Sequence, residues 1–295
     1  MSEPKPLYLH LGAHRTGTSS FQMMLAENGD LLRGAGFDLA YPGRDDIPGG
    51  DLALRLPQPR NKDQWQDRFV PNAAIELRKQ ASADSTAMIL SEENIPGRMI
   101  HFGSGRFYPA AEERFKTLAE AAAAPVLRAL LVVREYADLY VSAYRKRAED
   151  NHSDPFDDDR RNMMRMDRGW PELVALIQTH LQAQQLIVVE YASRGRSVDL
   201  LRHLLPETRE MPLIEPAHRM NHSPTDAALE VLQAIYAKGD TLEREAWQQI
   251  ILEHRDDHAS RGISEFTKRQ NRILRGRYAE DLDRLAQMPG VVLVR

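Results

Sequence analysis

Between residues 10 and 20 the chain reads His10-Leu11-Gly12-Ala13-His14-Arg15-Thr16-Gly17-Thr18-Ser19-Ser20. Two glycines bound a short turn, and hydroxyl side chains crowd around one cation, Arg15. Glycines at this spacing let the backbone curl until successive N–H groups point at a single anion. A helix starting directly after the turn adds the positive end of its dipole. The chemistry available to such residues is the grip of a phosphate or a sulfate, with hydroxyls from Thr18, Ser19 and Ser20 at hand. The flanking pattern supplies the scaffold: residues 7–11 are a short apolar run with β character, and residues 18–27 read as a helix.

The spacing GxxxxG also opens a Walker A loop, in which lysine follows the second glycine. Here Thr18 holds that position, and the cation stands three residues earlier. The apolar run 126–133 leads into Arg134 rather than into a magnesium-binding Asp. Both departures count against a P-loop kinase or nucleotide hydrolase, the first rival reading. A non-catalytic nucleotide-binding module is the second.

Further strands are expected at 37–41, 87–90, 126–133 and 186–191. Helices are expected at 71–82, 110–123, 136–149, 171–184, 200–205, 225–238, 242–258 and 264–288. Residues 42–65 and 151–168 read as loops, the second highly charged. Strand and helix alternate, which predicts a P-loop-like three-layer α/β/α fold around a central parallel sheet. Extra helices follow at about 220–295, within a single domain spanning 1–295.

Composition narrows the classes. The chain contains 295 residues and no cysteine, so disulfides, thiolate catalysis and cysteine-ligated metal are excluded. A net charge of −4 argues against a broad nucleic-acid surface. No apolar stretch is long enough to span a membrane, and no secretory leader is visible. A soluble cytoplasmic protein is the expectation.

A strand followed by H-x-G-x-x-[KR]-T-G-T-[ST]-S resembles the 5′-phosphosulfate loop of the sulfotransferases that use 3′-phosphoadenosine 5′-phosphosulfate (PAPS), the bacterial type especially. That family usually has Lys where this chain has Arg15. The resemblance implies that Arg15, Thr16, Gly17, Thr18 and Ser19 bind the 5′-phosphosulfate, with Arg15 stabilising the leaving group. The family pairs a strand-ending Arg with a Ser eight residues later for the 3′-phosphate, and Arg134 and Ser142 match. Arg134 would project into the crevice at the carboxyl end of the sheet. Glu135 departs from the family's Asp-Pro or Asn-Pro. Residues 186–191 resemble a later family strand that would set Tyr191 near the nucleotide; a core-edge tyrosine is the alternative. Residues 220–223 resemble the tail of bacterial members.

The resemblance implies PAPS as donor, adenosine 3′,5′-bisphosphate as product and no metal. Sulfuryl transfer needs a base for the acceptor proton, in-line positioning and stabilisation of the leaving oxygen. The family's Ser-x-Glu at a strand end matches Ser91-Glu92-Glu93, which makes Glu93 the expected base. Glu92 is the fallback and His14 a third candidate. An exposed acidic turn is the competing explanation. The acceptor would be a small molecule or a glycan, covered by residues 152–168. The pair His254 and His258, and the acidic run at 154–159, lack metal-site spacing. One of Arg272, Arg275 and Arg277 is expected to complete the 3′-phosphate site.

Overall fold

The computed structural model describes residues 4–217 and 223–295. Residues 220–222 of the tail motif lie outside the described residues; Ser223 lies inside. Six strands form one sheet: β1 (Leu7–His10), β2 (Phe37–Ala40), β3 (Ala87–Ser91), β4 (Val126–Val133), β5 (Gln185–Glu190) and β6 (Val291–Val294). Their order is β2-β3-β1-β4-β5-β6 and every pairing is parallel. Helices cover both faces, so the fold is three-layered, α/β/α.

Side chains alternate across a strand, and the two halves of the core show it. Leu9, Ala129, Leu131 and Val188 face one cluster, completed by α3 (Val70–Gln80), α4 (Ala111–Ala122), α5 (Tyr136–Ala148), α7 (Trp170–Leu181) and α11 (Lys268–Gln287). Tyr8, Leu130, Val132 and Ile187 face the other, under α1 (Thr18–Glu27), α2 (Gly29–Gly34) and α8 (Ser197–Leu204). Burial on both faces explains why β4 is nearly continuous in apolar residues.

The strand order reverses beside β1: β2 and β3 lie to one side, β4 to β6 to the other. Doubly wound sheets bind ligands at such a switch point, outside the carboxyl ends of the strands. The turn after β1 and Arg134 after β4 both emerge there.

Residues 151–168 depart from expectation, because they contain α6 (Phe156–Met163). Asp157, Asp158 and Asp159 fill its first turn and Arg160 and Arg161 its last, which suits the helix dipole. Phe156 and Met163, seven apart, are both buried. The Phe156 ring lies 5.1 Å from those of Tyr144 and Phe266. Two apolar anchors separated by six charged and polar residues gave too weak a period to read. β6, an edge strand, and α2, a six-residue helix, were also not expected. The C-terminal part contains α9 (Asp226–Tyr236), α10 (Arg244–Glu253) and α11. Among the described residues no helix is long and apolar enough to cross a membrane.

Candidate functional site

The turn from Gly12 to Gly17 carries left-handed backbone at Gly12 (φ 70°), Ala13 (111°), Arg15 (64°) and Gly17 (92°). Two of these are not glycine, so the loop stores strain that its surroundings must hold. Leu11 N donates to Leu130 O at 2.9 Å and Val132 N to Gly12 O at 3.2 Å, clamping the start of the loop to β4. Thr16 Oγ1 and Thr18 Oγ1 both donate to Ala13 O, at 2.7 and 3.4 Å. Each hydroxyl has one proton, so these two shape the turn. The first turn of α1 has no side-chain cap and no acidic residue. Its N–H groups and dipole are therefore open to an anion.

Three arginines converge on this turn. Arg15 Nε donates to Ser142 Oγ at 2.8 Å and Nη2 to Ser223 Oγ at 3.4 Å. Arg134 Nη1 donates to the Arg15 carbonyl at 2.7 Å, and its Cζ lies 4.7 Å from the Tyr191 ring centroid. Trp170 Nε1 holds the Arg134 carbonyl at 2.9 Å. Burial pulls the Arg134 pKa below its ordinary value, and nearby Arg15 pulls the same way, against Tyr191 and Asp138. Glu135 accepts from Ala137 N and Asp138 N at 3.1 Å, so it caps α5. Burial raises its pKa.

The third arginine, Arg194, was not singled out in the sequence. A Cβ built on Gly17 would stand 2.8 Å from its Cζ, so glycine is what lets the guanidinium lie against the loop. Its Cζ is 6.0 Å from the centroid of the Tyr191 ring, the same ring that Arg134 approaches. Nε of Arg134 and Nε of Arg194 are both buried without a hydrogen-bond partner among the described residues. An orphaned buried donor costs about 1–3 kcal/mol, and two beside an uncapped helix start fit a doubly charged ligand. The available signal was position: Arg194 closely follows a parallel strand at its carboxyl end.

The end of β3 supplies the carboxylates. Glu92 is buried, and its Oε1 accepts from Arg44 Nη2 (2.6 Å), Asn94 N (2.7 Å) and Asn94 Nδ2 (2.9 Å). Asn94 Oδ1 in turn lies 3.1 Å from His14 Nε2. Burial drives the His14 pKa down to about 4, so the ring is neutral at pH 7; its Nδ1 lies 3.5 Å from Tyr108 Oη. Glu93 is half-buried. Its Cα sits where a Cβ on Gly12 would approach to 2.7 Å, which fixes it against the phosphate-type loop. Glu92 and His14 hold the turn through Asn94, and Glu93 lies against Gly12.

Arg277 donates to Met166 O and Arg168 O at 3.3 and 2.7 Å, tying down the segment after α6. Its Cζ also lies 5.1 Å from the centroid of the Tyr136 ring, and Arg272 and Arg275 are exposed. Beyond Ser223, a cavity of about 880 Å³ opens between α5, the start of α9 and α10. Residues 151–168 do not line it. Among the described residues no group of three His, Cys, Asp or Glu could hold a metal ion.

No family model matches the chain, and no curated protein matches it. Among solved structures it is similar to a sulfotransferase from Alicyclobacillus acidocaldarius, over 84% of this chain and 100% of that one. The identity is 14% and the TM-score 0.38.

Proposed function

We propose that the protein is a sulfotransferase that moves a sulfuryl group from PAPS to a hydroxyl or amine. The observation that carries this reading is the pair of orphaned arginine donors, Arg134 and Arg194, stacked about Tyr191 beside the uncapped start of α1. Such an arrangement suits a ligand with two phosphate-type groups and an aromatic base. Arg15 is hydrogen-bonded to Ser142 through its side chain and to Arg134 through its carbonyl.

In this reading the backbone of residues 16–19 holds the 5′-phosphate, while Arg134 and Ser142 hold the 3′-phosphate with Tyr191 beside the nucleoside. Glu93 takes the proton of the acceptor. The acceptor oxygen or nitrogen bonds to sulfur as the sulfur–oxygen bond to the 5′-phosphate breaks. The electron pair leaves with adenosine 3′,5′-bisphosphate, and Arg15 offsets the charge on the departing oxygen. A guanidinium is a permanent cation, so it serves as an electrostatic stabiliser rather than a proton donor.

The experiment is a thermal-shift titration with adenosine 3′,5′-bisphosphate against ATP, with and without Mg²⁺. Ligand at about 100 times its Kd stabilises by about 2.7 kcal/mol. Stabilisation by the bisphosphate without metal, lost in Arg134→Ala, is the expected result. A preference for Mg·ATP overturns the proposal. In Glu93→Gln, transfer should fall about 100-fold or more with nucleotide binding intact. Full transfer activity in that variant removes Glu93 as the base.

A further inference from the structure

The cavity beyond Ser223 meets the site at Arg15, whose Nη2 donates to Ser223 Oγ at 3.4 Å. Its floor is one face of α5. Arg145, Lys146 and Glu149 line it and follow Ser142 at helical spacing. Its wall is α10, whose Trp247, Gln248, Ile251 and Leu252 all line it. None of the residues of α10 is buried, although the helix carries a tryptophan, two isoleucines and a leucine. Trp247 and Ile251 are half-buried and Leu252 is exposed, and all three line the cavity, an arrangement that suits a ligand wall.

The charges in the cavity are matched. Arg145 pairs with Asp226 at 2.5 Å, Lys146 with Glu149 at 2.6 Å and Arg255 with Asp256 at 3.5 Å. Lys146 Nζ also lies 5.4 Å from the Trp247 ring centroid. The remaining carboxylate of the lining, Glu265, accepts from Ser260 Oγ. Arg145, Lys146 and Arg255 each have a carboxylate partner, and four carboxylates line the cavity against these three cations and His258. Such a surface offers an anionic ligand no net attraction. It does offer many polar edges around one aromatic plate and an aliphatic strip. A flat phenol would need a dry slot of several aromatics, whereas the lining holds a single one.

We infer that this cavity binds the acceptor and that the acceptor is an uncharged oligosaccharide. A sugar ring has an apolar C–H face to lay against Trp247 and a rim of hydroxyls to exchange hydrogen bonds with the paired charges. A cavity of about 880 Å³ accommodates more than one ring. The inference rests on the sulfuryl-transfer reading only for which hydroxyl reacts; binding of the glycan does not depend on it.

The test is isothermal titration of the full-length protein with cellotetraose and maltotetraose, a hyaluronan tetrasaccharide and p-nitrophenol. At least one neutral tetrasaccharide should bind about tenfold or more tighter than the other two probes. Trp247→Ala should weaken that binding about tenfold and Trp247→Phe much less, because a ring remains. Both variants should keep the stabilisation by adenosine 3′,5′-bisphosphate. Preference for the anionic glycan or the phenol, no binding of either neutral glycan, or unchanged affinity in Trp247→Ala overturns the inference. Loss of bisphosphate binding in the unsubstituted protein overturns the donor reading instead and leaves the glycan titration readable.

Discussion

Arg15 Nε donates to Ser142 Oγ at 2.8 Å, joining two residues 127 positions apart. The contact links the turn after β1 to the middle of α5, and so couples the two groups of donors proposed for the two ends of the nucleotide. A bond from a charged donor contributes about 1.5–3 kcal/mol. Ser142→Ala should therefore weaken adenosine 3′,5′-bisphosphate binding about tenfold or more, measured by calorimetry. It should also lower kcat, because Arg15 loses the partner that orients it. Affinity and kcat equal to wild type would mean that the bond serves only the fold.

Arg194 and Arg134 give a prediction whose sign depends on the ligand. Two guanidiniums approach one Tyr191 ring, and each leaves a buried Nε unpaired. Without ligand this arrangement is unfavourable, both by like-charge repulsion and by the missing bonds. Arg194→Ala should leave the melting temperature of the ligand-free protein unchanged or slightly raised. The same variant should bind the bisphosphate at least about tenfold more weakly, with a shallower dependence on salt. A fall in ligand-free stability with unchanged affinity would make Arg194 a structural residue.

The loop after β1 was readable because its glycines and hydroxyls are adjacent in sequence and follow an apolar strand. Arg134 was readable for the same reason: it ends the longest apolar run. Arg194 was not, since its partner is Gly17, far away in the chain, and nothing local distinguishes it from neighbouring Arg196. The roles of Glu92 and Glu93 are equally invisible locally. Two adjacent carboxylates look alike in sequence, and only the pairing of β3 with β1 sets one over Gly12 and the other against Arg44. α6 was missed because its aromatic anchor, Phe156, finds its partners on α5 and in the segment before α11.

That division between neighbouring glutamates can be separated by stability. Glu92 is a buried carboxylate with three donors on one oxygen, so Glu92→Gln leaves Arg44 and both Asn94 donors with a weaker acceptor. The loss should be about 1–3 kcal/mol in denaturant unfolding. Glu93→Gln should cost less than Glu92→Gln, in keeping with its greater exposure. If Glu93→Gln is the more destabilising of the two, the assignment of roles is reversed.

The buried histidines set an acid limit. His10 stacks on Phe21 at 4.0 Å, and its Nδ1 lies 2.8 Å from Ser91 Oγ. Burial, helped by the charge of Arg194, brings its pKa down to about 3. His14, held by Asn94, falls to about 4, mainly through burial. In the unfolded chain both titrate near 6.5. Between pH 6.5 and 4 the unfolded state therefore binds more protons than the folded one, and stability falls as the pH falls. Each histidine adds a slope of up to about 1.4 kcal/mol per pH unit. Urea unfolding between pH 6.5 and 4.5 should show the loss, above the range where most carboxylates protonate. His14→Gln should remove about one proton from the slope whatever it does to stability at pH 7. A slope identical to wild type would mean that His14 is protonated in the folded protein, and its neutral role beside the phosphate-type loop would have to be abandoned.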